Sequence, residues 1–119
     1  MRIGELADRT GLSIRTVRHY DDVGLLHPTG RTEGGFRLYS DDDLHRLLVI
    51  RRMKPLGFSI AQMAELLGIL DGLETADGIE RDRLQAQLDA YVVDTEERRA
   101  KLARNLEWAD EFLGILRAH

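Results

Sequence analysis

The chain has 119 residues, 17 basic and 21 acidic side chains, a formal net charge of −4 and no cysteine. That length suits one compact unit with an extension. The missing cysteines exclude disulfides and thiolate metal ligands. No apolar run approaches the roughly 20 residues of a membrane span, and the start MRIGELADRTG lacks the apolar stretch of a signal peptide, so a cytoplasmic location away from membranes is expected.

Ile3, Leu6 and Ala7 have the i, i+3, i+4 spacing of a helix face. Gly11 can end that helix in the left-handed conformation, and Leu12 can plug the core at the turn. Ser13 is a good cap for a second helix. On it, Ile14 and Val17 are expected to face inward. Arg15, Arg18 and His19 share the opposite face. Gly24 can end this helix. Leu25 and Leu26 return to the core, and Pro28 starts a turn.

Arg31 to Tyr39 reads as a hairpin, with Gly34 and Gly35 supplying positive φ at its turn. Phe36 and Leu38 alternate with Arg37 and Tyr39. One face is therefore expected to be apolar, the other able to meet phosphate through the Arg37 fork and the Tyr39 hydroxyl. A lone arginine pair at helical spacing is usually a solvated charge. A short helix, a glycine turn, an arginine-bearing helix and a glycine-turned ribbon in this order are more specific, and they suit a grip on duplex DNA.

Ser40 can cap a third helix, with Asp41, Asp42 and Asp43 in its first turn, where the helix dipole favours negative charge. Three acids in one turn fan outward and converge poorly on an ion, so capping is the expected role. Leu44, Leu47, Leu48 and Met53 supply apolar contacts. Arg51, Arg52 and Lys54 either touch phosphate or are solvated at the helix end. Ser59 and Gln62 form a capping box for a fourth helix. Its apolar face is Ile60, Met63, Leu66, Leu67 and Leu70. Asp71 to Gly78 reads as an acidic loop.

Asp77 and Glu80 open a last helix running to about Arg117, roughly 60 Å at 1.5 Å per residue. Leu84, Leu88, Tyr91, Thr95, Arg98, Leu102, Asn105, Ala109, Phe112 and Leu116 step alternately by four and three, which is a heptad seam. A neighbouring stripe of Val92, Leu102, Leu106, Ala109, Leu113 and Leu116 grows more apolar toward the C-terminus. A helix with two apolar edges needs partners, most simply its own head and a second copy. Tyr91, Trp108 and Phe112 read as packing residues ahead of a drug pocket. His27, His45 and His119 show no convergent ligand spacing, and no nucleophile–base pair or phosphate-cradling loop suggests an enzyme. Residues 1–60 carry 10 basic and 8 acidic groups, hence +2. Residues 61–119 carry 7 and 13, hence −6. The basic groups thus lie with the proposed grip.

On the segments IGELADRTGLSIRTVRHYDDVGLL, RTEGGFRLYS and DDLHRLLVIRRMKPLGFSIAQMAELL, the chain resembles the MerR family of transcription regulators. The match is close over about two-thirds of its length. The resemblance implies a mainly α fold: a winged helix-turn-helix with a small β-ribbon wing, two further helices, and a long C-terminal coiled-coil helix. Residues 1–77 would form the DNA-binding domain and 78–119 the dimerisation helix, pairing antiparallel. By position Arg15, Thr16, Arg18, His19 and Tyr20 would lie on the recognition helix. Arg31, Arg37 and Tyr39 would lie on the wing, and Leu102, Leu106, Ala109, Leu113 and Leu116 would hold the dimer.

The expected partners are double-stranded promoter DNA, a second copy and, functionally, RNA polymerase, which uses a promoter that the homodimer bends and untwists. No cofactor or metal is expected. By length, no separate signal-binding domain is expected after the long helix. The rival readings are an excisionase-like architectural factor, whose heads usually lack such a helix, and an interaction adaptor, which would not need Arg15, Arg18, Arg31 and Arg37. Three positions depart from the family pattern. His19 stands where many members carry Tyr. Arg2 replaces a frequent Ser or Thr cap, leaving the first helix prone to fray. Pro55 interrupts the end of the third helix.

Overall fold

The computed structural model describes residues 1–119. It contains five α-helices and one two-stranded antiparallel ribbon: α1 Ile3–Thr10, α2 Ile14–Asp22, β1 Gly30–Arg31, β2 Arg37–Leu38, α3 Asp41–Met53, α4 Ile60–Leu73 and α5 Gly78–Arg117. A 3-10 turn, Lys54–Leu56, follows α3 at Pro55, where the missing N–H and fixed φ of proline oppose further α-helix. No helix is long and apolar enough to cross a membrane. The chain divides into two compact units, Met1–Leu67 and Gly68–His119.

In the first unit the helix ends are set locally. Gly11 closes α1 at φ +71°. Ser13 caps α2, its Oγ accepting from the Thr16 amide at 3.0 Å. Ser40 and Asp43 form a reciprocal capping box on α3, as Ser59 and Gln62 do on α4, at 2.9 and 3.1 Å. Asp43 is buried, and its Oδ1 also accepts from the His27 amide at 2.9 Å, so one carboxylate ties the chain after α2 to the start of α3. The acidic run at 41–43 is thus a cap.

Helix α1 packs against α2 and α3. Leu6, Ala7, Val17, Tyr20, Leu25, Leu26, Leu47, Ile50, Met53 and Met63 fill the core. Burying each large aliphatic side chain contributes roughly 1.5–3 kcal/mol. Thr10 is buried too, its hydroxyl donating to the Leu6 carbonyl at 2.9 Å. Arg51 Nη1 donates to the Thr10 carbonyl at 2.7 Å, and Arg52 Nη1 to the Leu48 carbonyl at 2.9 Å. Arg51 therefore satisfies an orphan carbonyl at the end of α1, which gives it a structural task.

Three expectations are corrected. Ile14 is exposed, because it opens α2 ahead of the stretch that α1 covers. Only Gly35 of the ribbon glycines has positive φ, +82°. The turn is closed by Thr32, whose carbonyl accepts from the Gly35 amide at 2.9 Å and whose amide donates to the Phe36 carbonyl at 2.8 Å. Finally, Asp71–Leu73 are helical, so the loop before α5 is only residues 74–77.

In the second unit, Gly72 lets Leu84 approach the backbone of α4. A Cβ on Gly72 would lie 2.9 Å from Leu84 Cδ1. Leu84 is the one buried residue of α5, and Arg81 Nη1 reaches the Leu73 carbonyl at 3.2 Å. Within α5, Glu80 pairs with Arg83 at 2.6 Å and Asp94 with Arg98 at 2.8 Å. The Arg83 guanidinium holds the Glu80 carboxyl below its ordinary range. From Arg99 onward every residue of α5 is exposed in the single chain.

Candidate nucleic-acid interface

Arg15, Arg18 and His19 project from α2 into solvent, as the helical spacing predicts. Thr16, on the same helix, is half-buried. Its Oγ1 accepts a bond from the Ser13 hydroxyl at 2.9 Å, so its side chain is part of the α2 cap. Tyr20 corrects the sequence reading: it is 4% exposed and packs in the core between the helices, with its ring 5.7 Å from that of His19. Burial pushes its phenol pKa up. The residue three after Val17 falls on the buried face of α2, and that placement prevails over its position in the family motif.

The ribbon pairs Gly30 with Leu38 and Arg31 with Arg37, which puts the two arginines on one face. Like charges directly opposite are destabilising unless neutralised. Asp21 and Asp22, at the end of α2, supply that neutralisation. Arg37 Nη1 lies 2.6 Å from Asp21 Oδ2 and 3.6 Å from Asp22 Oδ1. The hydrogen bond and charge of Asp21 raise the Arg37 pKa. Arg31 Nη1 donates to the Gly35 carbonyl at 2.9 Å, bracing the turn.

Tyr39 is the second correction. It is 3% exposed, and its hydroxyl donates to Asp21 Oδ2 at 2.5 Å. Burial, followed by that bond, pushes its pKa up to about 12. Strand alternation puts Tyr39 on the solvent side with Arg37. In the structure both converge on one carboxylate, and Phe36, expected inside, is exposed. The reason is that the ribbon is only two pairs long. Beyond Leu38 the chain leaves it to pair with the N-terminus: the Met1 ammonium donates to the Tyr39 carbonyl at 2.6 Å, and the Tyr39 amide to the Met1 carbonyl at 2.7 Å. No signal within Arg31–Tyr39 reveals Asp21, which lies 16 residues before Arg37.

Between α1, α2 and the ribbon lies a concavity of about 650 Å³. Arg2, Arg18, Arg31 and Arg37 line it, with Phe36 and the start of α1. Arg15 and His19 are not in its lining. An exposed arginine-bearing helix, with a ribbon locked beside it and an arginine-lined hollow between, is suited to a polyanion. The helix offers base-edge donors and the hollow offers phosphate donors. No three His, Asp or Glu side chains are grouped to hold a metal ion.

Such a helix-turn-helix with a ribbon wing defines a class of DNA-binding regulators, and sequence comparison agrees. The MerR HTH family regulatory protein description matches residues 1–68, and the MerR DNA-binding description matches residues 44–107. The chain belongs to the MerR family, a family of transcription regulators. That membership sets aside the architectural-factor and adaptor readings.

The chain is 36% identical over 117 residues to heavy metal-dependent transcription regulator 2 of Rhizobium meliloti, covering 98% of this chain and 72% of that protein. To the mercuric resistance operon regulatory protein of Bacillus cereus it is 46% identical over 70 residues, covering 59% and 53%. Against several curated relatives the matched stretch spans only about half their length. Among solved structures, HiNmlR, a MerR family regulator lacking the sensor domain and bound to promoter DNA, superposes with a TM-score of 0.69 at 26% identity. That match covers 98% of this chain and 89% of the other.

Proposed function

We propose that the chain works as a homodimeric promoter-binding regulator. Residues 1–77 grip DNA and residues 78–119 hold two copies together. Helix α2 enters the major groove, with Arg15, Arg18 and His19 toward it and Thr16 at its edge. The wing carries Arg31 and Arg37 onto the flanking backbone. The two-fold complex bends and untwists its site, so that RNA polymerase can use both promoter elements.

The observation that carries this reading is the latch between Asp21 and the wing residues Arg37 and Tyr39. It joins the end of the groove helix to the wing, so that the helix and the wing's arginines meet a duplex as one rigid surface. Rigid presentation lowers the ordering cost of binding.

Dimerisation is supported by α5. Leu102, Leu106, Leu113 and Leu116 are 42–63% exposed in the single chain. With Ala109 they form a continuous apolar stripe at helical spacing. A second copy of the same helix covers such a stripe by heptad packing. Two heads on one rod would read a palindromic site.

Protection mapping on genomic fragments selected by the protein tests the proposal. A two-fold footprint between the two promoter elements, with enhanced cleavage at its centre, is the expected pattern. An asymmetric footprint, or none, would contradict it.

A further inference from the structure

Arg2 belongs to neither the recognition helix nor the wing, yet it sits at the edge of both. Its guanidinium Cζ lies 4.8 Å from the centroid of the Phe36 ring at the wing tip. It lines the same concavity as Arg18, Arg31 and Arg37. The acids of that lining already have partners: Glu5 pairs with Arg9 at 3.0 Å, and Asp22 stands beside Arg37. Arg31 and Arg37 are themselves bonded to the Gly35 carbonyl and Asp21. The guanidinium groups of Arg2 and Arg18 make no hydrogen bond or ion pair within the chain, so the hollow keeps two uncommitted cations, one just before α1 and one on α2.

The start of α1 adds backbone donors. Its N-cap position is Arg2, which gives no side-chain cap. The first intrahelical bond is Leu6 N–H to the Arg2 carbonyl. The amides of Ile3 and Gly4 are therefore left for an outside acceptor, and both residues line the hollow. A Cβ on Gly4 would meet nothing within 4 Å, so no neighbouring side chain crowds that side of the helix start. A Ser or Thr at position 2 would occupy one such amide. Arginine leaves it free and brings a charge. Met1 fixes this helix start to Tyr39 through two hydrogen bonds, so the donors are held in place.

We infer, taking the DNA-binding reading as given, that Arg2, Arg18 and the first amides of α1 form one phosphodiester site that clamps the DNA backbone between α1 and the wing. Arg2 is the addition: a backbone contact outside the recognition helix and outside the wing. The cation–π contact with Phe36 restrains the guanidinium and reduces the rotamer entropy lost when it meets phosphate. Phosphate contacts set register and carry no sequence information. Arg2 should therefore strengthen binding to every duplex alike.

The test compares the full-length wild-type chain with Arg2→Ala, Arg2→Met and Arg2→Lys on a duplex selected by the wild type and on an unrelated duplex. Circular dichroism checks that each variant folds. Arg2→Ala is expected to bind both duplexes roughly three- to tenfold more weakly at 0.15 M salt. Its plot of log affinity against log salt should be shallower by about 0.9 for each phosphate no longer neutralised, hence by about two for a dimer.

Arg2→Met keeps packing on Phe36 without charge and should behave like Arg2→Ala. Arg2→Lys should recover most of the slope. Ethylation of one backbone phosphate per half-site should hinder the wild type more than Arg2→Ala, in which only Arg18 and the α1 amides still reach it. Wild-type affinity and slope in Arg2→Met would show that packing alone matters and overturn the site. A saturable inorganic-phosphate site that is lost in Arg2→Ala while duplex affinity stays unchanged would give the hollow to a free anion and overturn it equally. If the wild type bound no duplex, the DNA reading itself would fall.

Discussion

Asp21, the penultimate residue of α2, holds Arg37 of the ribbon through a 2.6 Å ion pair, and the carboxylate that does so is almost fully shielded by protein. The same oxygen accepts the Tyr39 hydroxyl. One side chain thereby couples the two elements proposed to touch DNA. Removing it leaves a buried phenol and a guanidinium without their acceptor. Asp21→Ala should destabilise the head by about 1–3 kcal/mol, the usual range when a buried bond to a charged group is broken. Urea unfolding measures this. Asp21→Ala combined with Arg37→Ala should cost less than the sum of the two single changes. Strict additivity would mean that the latch carries no coupling.

Tyr39 makes the latch sensitive to alkali. Its pKa is raised from 10.0 to about 12, by burial and then by its bond to Asp21. The unfolded phenol therefore releases its proton first as pH rises. The stabilisation is complete below pH 10 and is lost as pH climbs through about 12. Over that window the wild-type denaturation midpoint should fall. Tyr39→Phe, which has no proton to lose, should show a flatter profile. Parallel curves for the two proteins from pH 9 to 12 would refute the role given to the phenol.

Arg15 and the wing should separate in their effects on DNA. Arg15 stands exposed on α2 and outside the arginine-lined hollow, where a bidentate contact to a base edge discriminates by about 1–3 kcal/mol. Arg15→Ala should relax sequence preference at one position in each half-site. Arg37→Ala should weaken binding to selected and unrelated duplexes by similar factors. Affinity measured across a library of single-base variants of the site decides this. An unchanged preference profile in Arg15→Ala would remove that residue from base reading.

The parts of this structure readable from sequence are those set by near neighbours. Ser13, the Ser40–Asp43 box and the Ser59–Gln62 box each close within three residues, so their helix starts are visible in the string. The face of α2 that carries Arg15, Arg18 and His19 follows from periodicity alone. Tyr39 is not legible because a two-pair ribbon is too short for alternation to govern its ends. Its orientation is set by Asp21 and Met1, both distant in sequence. The end of α4 is hidden for a similar reason. Asp71 and Gly72 have loop composition, yet Gly72 is the gap into which Leu84 packs. The hollow around Arg2 needs three elements to meet, and no local pattern encodes that.

The exposed stripe of α5 yields the last expectation. Leu106 is 63% exposed in the single chain, and Leu102 and Leu113 flank it at four and seven residues, on the same helix face. If a second copy covers that stripe, Leu106→Asp puts a charge where water is excluded, which costs several kcal/mol when unpaired. Sedimentation should then report a monomer. Operator affinity should drop steeply, because each head would have to bind its half-site without the other. The fold of the head should persist, since its core residues from Leu6 to Leu67 all precede the long helix, and circular dichroism would confirm that the helices remain. A dimer of unchanged strength in Leu106→Asp would place the seam elsewhere. The other candidate is the face carrying Trp108, Phe112 and Ile115, which are 53–62% exposed. Trp108 fluorescence would then blue-shift on association in the wild type, and Ile115→Asp would be the change that yields a monomer.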